Sequence, residues 1–339
     1  REVPGIGRKT LQRIKESWTA HRGLQQLMVF LTGHGVTSNV ATKAHDRYGV
    51  KALEIVRANP YRLADDVFGV GLRTADGIAR NLGIPDDAPE RLEAGVLFVL
   101  KDASNAGHVF LPRDRVLENT AELLDVPHEL VAAAVESLAA KELAVLRPRA
   151  AGEPAVYPRR LERAESSVAE SILRQQQSAR AKPKIDIRQA LGWFQARTRI
   201  ELADRQLEAL ATALVEPVTV ITGGPGTGKT TLIRGVIEIL GAKNKKILLA
   251  APTGRAARRL AESSGREART LHRLLEFQPQ NGSFLRDDDH PLEADLVIVD
   301  EVSMVDLPMA HRLVQALPLT ARLILVGDVD QLPSVGPGA

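Results

Sequence analysis

Cysteine is absent from all 339 residues. That absence excludes a disulfide framework and any cysteine-ligated zinc centre, and it fits a cytoplasmic protein. Aromatic residues make up only 4% of the chain. A grip on nucleic acid would therefore rest on charge and backbone amides more than on extensive base stacking. No apolar run approaches the roughly 18 residues of a membrane-spanning helix. No secretory signal is visible either, so no membrane partner is expected. The chain begins with Arg1 rather than Met, so further sequence is expected upstream.

The length suggests two or three domains with well-buried cores. The formal charge is only +3, but it is unevenly spread. Residues 1–50 carry eight Lys and Arg against three acids, and residues 147–199 carry twelve against five. A basic flank suits a polyanionic partner. Solvated helix faces are the alternative reading of the same charges.

Three short phrases recur in the first 85 residues: Val3-Pro4-Gly5-Ile6-Gly7, Leu31-Thr32-Gly33-His34-Gly35 and Val67-Phe68-Gly69-Val70-Gly71. Each is followed by a polar step and a helical pattern. They resemble the helix-hairpin-helix element, which binds DNA without sequence preference. Two glycines let the hairpin backbone approach a phosphate, and the next helix offers its first N–H groups. Gly5, Gly7, Gly69 and Gly71 are the candidate contacts. His34 occupies a usually apolar slot, which makes the second copy the least regular. The alternative is that the hairpins only pack helices together.

Residues 1–87 thus read as a hairpin array. Residues 88–150 read as a small winged-helix-like domain, which could touch DNA or act as a spacer. Its expected elements are helices over 93–104, 113–124 and 128–141 and strands over 107–112 and 142–147. Residues 151–186 read as a helix from Tyr157 to about Gln177 and then a basic linker. From 187 to 339 the pattern is that of a motor domain.

Four apolar runs there read as parallel strands: Val218–Thr222, Ile247–Ala251, Leu296–Asp300 and Leu323–Gly327. Helical segments separate them, which predicts an α/β domain with a parallel sheet. Chemistry in such sheets gathers at the carboxyl ends of the strands. After the first run come Gly223-Gly224-Pro225-Gly226-Thr227-Gly228-Lys229-Thr230-Thr231. Strand, glycine-rich loop and helix are the context of a phosphate-binding loop. The backbone from Gly224 to Thr231 would wrap the phosphates, Lys229 would reach the outer ones, and Thr230 would ligate Mg²⁺.

Asp300 and Glu301 follow the third strand. An acid there can hold Mg²⁺, and its neighbour can orient and deprotonate the attacking water. Gln331, after the fourth strand, can touch the γ-phosphate. Gln206 carries an amide able to pair with an adenine edge. Thr253 and Arg255, then Thr270 and His272, offer hydroxyls, amides and cations suited to a single-stranded phosphate backbone. Taken alone, Thr270 and His272 also read as helix-start and packing residues.

Pro-Gly-Thr-Gly-Lys-Thr, Ala-Pro-Thr-Gly-Arg-Ala-Ala, Thr-Leu-His-Arg-Leu-Leu, Val-Asp-Glu-Val-Ser-Met and Gly-Asp-Val-Asp-Gln-Leu-Pro-Ser-Val-Gly-Pro-Gly occur in that order. Together they resemble the RecD-like DNA helicases of superfamily 1. The hairpin array and Gly-His-Val-Phe-Leu-Pro resemble the long bacterial class that works without RecB and RecC. The resemblance implies a RecA-like P-loop motor, driven by ATP and Mg²⁺, that moves 5′-to-3′ on single-stranded DNA and at single-strand/duplex junctions. It implies service in DNA repair and recombination. It assigns Gln206 to adenine, Lys229 and Thr230 to phosphate and metal, Asp300 and Glu301 to metal and water, Gln331 to the γ-phosphate, and Thr253, Thr270 and His272 to DNA. A second RecA-like domain with a completing arginine is expected beyond Ala339. The competing readings are the helicase portion of a conjugative relaxase and a DNA-binding module with a regulatory nucleotide site.

Overall fold

The computed structural model describes residues 8–67, 69–177 and 185–338. They form two compact units, one from residues up to 102 and from 111–158, the other from 103–110 and from 159 onward.

The first unit opens with α1 (Arg8–Gly33), α2 (Ser38–Tyr48), α3 (Ala52–Ala58), α4 (Arg62–Asp66) and α5 (Leu72–Asn81). Their apolar faces meet in a core of Leu27, Leu31, Val36, Val56, Leu63 and Ile78. Turn geometry follows the glycine phrases. After α1, Gly35 takes φ +77° and the Val36 N–H returns to the Leu31 carbonyl at 2.9 Å. That is the left-handed ending glycine permits. His34 keeps its irregular place, with Nδ1 2.7 Å from the Phe30 carbonyl oxygen. Before α5, Gly69 takes φ +100° and Gly71 caps the helix in extended backbone. Gly5 and Gly7 lie outside the described residues.

A second core begins on the other side of α5. It gathers Leu72, Ala75 and Ala79 with residues of α6 (Pro89–Asn105), α7 (Arg113–Leu124) and α8 (His128–Ala140). The strands β1 (Leu111–Pro112), β2 (Ala144–Arg147) and β3 (Ala155–Pro158) form an antiparallel sheet in the order β1-β3-β2. β1 precedes α7, and β2 and β3 follow α8, so the sheet closes around these helices. One expectation is corrected here. Tyr157 does not open a helix but sits in the central strand β3, opposite Val145. Ala155, Val156 and Tyr157 are all buried, a β-branched and aromatic run that pairs on both edges. The expected strand over 107–112 shrinks to its last two residues.

Arg91 ties α6 to α5. It is 2% exposed and grips the Asp76 carboxylate, with Nε to Oδ1 at 2.7 Å and Nη2 to Oδ2 at 3.2 Å. Its remaining donors reach the Asp86 and Leu124 carbonyls. Tyr61 donates its hydroxyl to the same carboxylate at 2.8 Å. A buried charge satisfied on every side is the form in which such pairs persist.

The second unit contains α9 (Arg159–Gln177), α10 (Ile187–Thr198), α11 (Asp204–Val215), β4 (Val218–Thr222), α12 (Lys229–Gly241), β5 (Ile247–Ala251), α13 (Gly254–Ser264) and β6 (Ala268–Thr270). It continues through α14 (Leu271–Leu274), a hairpin of β7 (Phe277–Gln278) and β8 (Ser283–Phe284), then β9 (Leu296–Val299), α15 (Leu307–Gln315) and β10 (Arg322–Gly327). Five strands form a parallel sheet in the order β4-β10-β9-β5-β6. The four strands read from sequence are all present, and β6 adds an edge. One sheet face carries a core with Leu210, Ile233, Val236, Leu240 and Ile298. Another core gathers Leu271, Leu275, Val297, Val299, Leu313 and Leu323. Strand β9 is buried throughout, which is why it reads as a continuous apolar run rather than an alternating one.

Two polar side chains fasten this layer. Gln175 of α9 donates its amide to the Pro318 carbonyl at 3.2 Å and to that of Ala321. Arg322 is 3% exposed, and it caps the end of α11 by donating to the Leu214 carbonyl at 2.6 Å. Among the described residues no helix is long and apolar enough to cross a membrane.

Candidate nucleotide site and nucleic-acid face

Strand β4 ends at Thr222, and the loop turns through Gly226 at φ +76° and Gly228 at φ +90° before α12 starts at Lys229. A side chain at Gly228 would run into the amide nitrogen of Gln206. The left-handed backbone favours glycine there, and any side chain would displace the Gln206 amide. The first N–H groups of α12 lack intrahelical partners and carry the positive end of the helix dipole. Thr227 Oγ donates to the Gly224 carbonyl at 2.9 Å. Lys229 Nζ donates to the same carbonyl at 2.9 Å and to that of Gly223. The loop is thus closed on its own lysine.

Gln206 lies at the start of α11. Its amide Nε2 donates to the Thr227 carbonyl at 3.0 Å, and its Oε1 accepts from the Ala203 N–H at 3.1 Å. Both ends of the expected adenine reader are therefore spent on the protein, one of them on the phosphate loop.

Asp300 emerges from β9, with Oδ1 accepting the Glu301 N–H at 2.9 Å. Burial, then the neighbouring charge of Glu301, pushes its carboxyl up; the Glu301 N–H and the Lys229 charge oppose the shift. Glu301 itself sits in left-handed backbone at φ 54° and ψ 42°. A non-glycine residue there is uncommon, and strain of this kind concentrates at functional sites.

From β10 come Asp328 and Gln331. Asp328 is 2% exposed. Its Oδ2 lies 3.9 Å from Lys229 Nζ and 3.5 Å from Gln331 Nε2, while Oδ1 accepts the Asp330 N–H at 3.1 Å. Asp328 is the first aspartate of the Gly-Asp-Val-Asp-Gln-Leu-Pro phrase, and no role is expected of it from the sequence. The signal was its place directly after the strand-ending Gly327.

The sheet order separates the two expected faces. Phosphate loop, acidic pair and Gln331 leave the adjacent strands β4, β9 and β10. Thr253 and Thr270 leave β5 and β6 on the other side. Both hydroxyls act as helix caps: Thr253 accepts the Ala256 N–H at 3.2 Å, and Thr270 accepts the Arg273 N–H at 3.3 Å. Arg255 is exposed on the first turn of α13. The exposed His272 ring packs edge-on against Phe277 at 5.3 Å and lies 5.8 Å from Phe284. The β7–β8 hairpin thus rests on a residue of the expected DNA face.

The donor set fits a hard divalent cation. Thr230 supplies a hydroxyl at the phosphate loop and Asp300 a carboxylate, and Mg²⁺ favours one or two such oxygens together with phosphate and water. No thiolate or imidazole intrudes among these residues.

Residues 20–110 match the ATP-dependent RecD2 DNA helicase HHH domain, and residues 206–337 match an AAA domain, a nucleotide-using class. The chain is 36% identical to the ATP-dependent RecD2 DNA helicase of Deinococcus radiodurans over 349 aligned residues, covering 99% of this chain and 48% of that protein. Hairpins and motor alike resemble the RecD-like helicases. It is also 45% identical to the RecBCD enzyme subunit RecD of Mycobacterium tuberculosis over 159 residues, covering 40% of this chain and 28% of that one. For the RecD subunit of Haemophilus influenzae the identity is 40% over 163 residues, covering 41% and 26%. The chain therefore spans about half the length of its RecD2 relative. The Deinococcus match runs through hairpins and motor alike, whereas these RecD matches cover only about two-fifths of the chain.

Proposed function

We propose that this chain is the DNA-binding array and first RecA-like motor domain of a cytoplasmic ATP-dependent DNA helicase. Residues 1–87 would grip DNA, 88–150 form a small accessory domain, 151–186 connect, and 187–339 carry the motor. The observation that carries this reading is the gathering of Lys229, Asp300 and Glu301, Asp328 and Gln331 at the ends of adjacent parallel strands. The RecD2-type hairpin match over 20–110 favours it over the relaxase reading.

ATP is the proposed substrate and Mg²⁺ the proposed cofactor. Gly224, Gly226–Gly228 and the first turn of α12, through Thr231, present N–H groups to the phosphates, with Pro225 shaping the loop. Lys229 exchanges two carbonyls for phosphate oxygens. Thr230 and Asp300 would hold the metal, which would supply charge neutralisation at the phosphates. Glu301 orients the attacking water and takes its proton. Gln331 meets the terminal phosphate. Gln206 would turn from Thr227 to the adenine edge. Thr253, Arg255, Thr270 and His272 line the side where single-stranded DNA would track, 5′-to-3′, toward a single-strand/duplex junction; Gly69 and Gly71, with Gly5 and Gly7, would approach phosphates of the flanking DNA. A second RecA-like domain would complete the ATP site.

DNA-stimulated ATP turnover by the complete protein tests the reading. Turnover should rise with single-stranded DNA and vanish in Lys229→Ala. A site that binds nucleotide but never turns it over, with or without DNA, would favour the regulatory module instead.

A further inference from the structure

Glu301, assigned above to the attacking water, holds left-handed backbone at φ 54° and ψ 42°. A residue with a side chain keeps that conformation only where its surroundings over-determine it. On one side the Asp300 carboxylate accepts the Glu301 N–H at 2.9 Å. On the other a 3₁₀ turn begins at once, over Val302–Met304. Its bonds are local: the Met304 N–H donates to the Glu301 carbonyl at 3.2 Å, and the Val305 N–H to the Val302 carbonyl at 2.9 Å. Both would travel with the turn if it moved. Ser303 Oγ is buried and makes no hydrogen bond among the described residues. What fixes the turn to the sheet is shape.

The fit is at Gly327. This residue closes β10 in parallel register with Thr222, the last residue before the phosphate loop. Its backbone lies outside the left-handed region, so conformation does not call for glycine. Space does. A Cβ on Gly327 would stand 2.8 Å from Val302 Cγ1, closer than carbons approach without something shifting, with the Ser303 and Val302 nitrogens at 3.5 and 3.7 Å. A methyl group of Val302 thus fills the place a side chain would take at the end of β10. Valine is branched at Cβ and stiff about χ1, so the contact carries position from strand to turn.

We propose that Val302 and Gly327 are positioning residues: the valine, wedged on the bare backbone of Gly327, sets Glu301 at a fixed offset from the strand that carries the phosphate loop. The proposal rests on the assignment of Glu301 to the attacking water. Register carries the offset, because Thr222 lies beside Gly327, Gly327 lies against Val302, and Val302 adjoins Glu301. A general base works only within hydrogen-bond reach of its proton, and a misplacement of about 1 Å can cost about 10²-fold in rate. Nucleotide binding, which draws on loop N–H groups and Lys229, is spared. The plainer role for the contact is to seal the end of the sheet, which would affect stability and binding without singling out turnover.

A double-mutant cycle on the complete protein, with saturating single-stranded DNA, separates the two. Gly327→Ala should lower kcat for ATP about 10–100-fold, while KM stays within about twofold of the parent and circular dichroism shows a folded protein. Trimming the wedge should undo this. Adding Val302→Ala to Gly327→Ala removes the 2.8 Å contact and leaves the nitrogens at ordinary distances, so most of the lost kcat should return. Val302→Ala alone should lower kcat less than Gly327→Ala does, and Val302→Thr, which keeps the branched shape, should retain it. If Gly327→Ala fails to fold, the two single valine variants carry the test, and equal kcat in both overturns the proposal. With Gly327→Ala folded, three results overturn it: a parent-like kcat, a rise in KM as large as the fall in kcat, or a double variant no faster than Gly327→Ala. The assignment of Glu301 fails separately, when Glu301→Gln turns over ATP at the parent rate.

Discussion

Lys229 spends its charge on the loop that carries it, and the first prediction follows from that. Lys229→Ala should abolish ATP turnover by the complete protein, by several orders of magnitude in rate, while single-stranded DNA affinity stays close to the parent value. Steady-state turnover and DNA binding by anisotropy check both halves. The acidic pair separates two roles. Glu301→Gln should bind ATP normally and trap it, because the amide cannot accept the water's proton. Asp300→Asn should weaken Mg²⁺-dependent binding, so a Glu301→Gln variant that loses ATP affinity instead would reverse the assignment. In the first unit, burial alone would raise the Asp76 carboxyl. Hydrogen bonds from Arg91 and Tyr61, with the charges of Arg91 and Arg80, outweigh that and hold it below its ordinary value. A depressed carboxyl stabilises the fold fully above the ordinary carboxylate pKa of about 3.9 and loses that contribution as pH falls through the folded value. Urea midpoints should therefore fall on acidification, and less so in Asp76→Asn. Arg91→Ala leaves the half-buried Asp76 carboxylate with the Tyr61 hydroxyl and the more distant Arg80, a change expected to cost about 1–3 kcal/mol.

At the scale of elements, the phosphate loop was readable in the sequence because its signal is local: a buried strand, glycines at fixed offsets and a helix. Long strands were readable for the same reason. Short or non-local features were not. Strand β3 hides in front of the amphipathic pattern of α9, and only pairing with β1 and β2 reveals it. The two-residue strands β7 and β8 are too short for any periodicity. Arg322 lies just before the apolar run Leu323–Gly327, and its partners are carbonyls more than a hundred residues away. Asp328 was visible as a residue, but its meeting with Lys229 depends on strand order. Gly228 offers the element-scale test. Gly228→Ala forces a left-handed residue to carry a side chain against Gln206. It should cost ATP affinity and turnover together without unfolding the sheet, as measured by nucleotide titration and circular dichroism.

At the scale of the whole molecule, the described residues hold the parallel sheet proposed as the first motor domain, and the chain spans 48% of its RecD2 relative. A translocase of the proposed kind closes two such domains around ATP. This chain alone should therefore turn over ATP slowly, short of the roughly 10³–10⁵-fold contribution a completing arginine makes in related phosphate-loop enzymes. Binding through backbone contacts should weaken steeply with salt and ignore base sequence. The central claim is that the site on β4, β9 and β10 drives strand separation along DNA held beside β5 and β6. The most direct measurement is strand displacement by the complete protein on matched 5′-tailed, 3′-tailed and blunt duplexes with ATP and Mg²⁺. The account predicts opening of the 5′-tailed duplex alone, and none in Lys229→Ala. Opening without ATP hydrolysis, or equal or preferential opening of the 3′-tailed duplex, would contradict it.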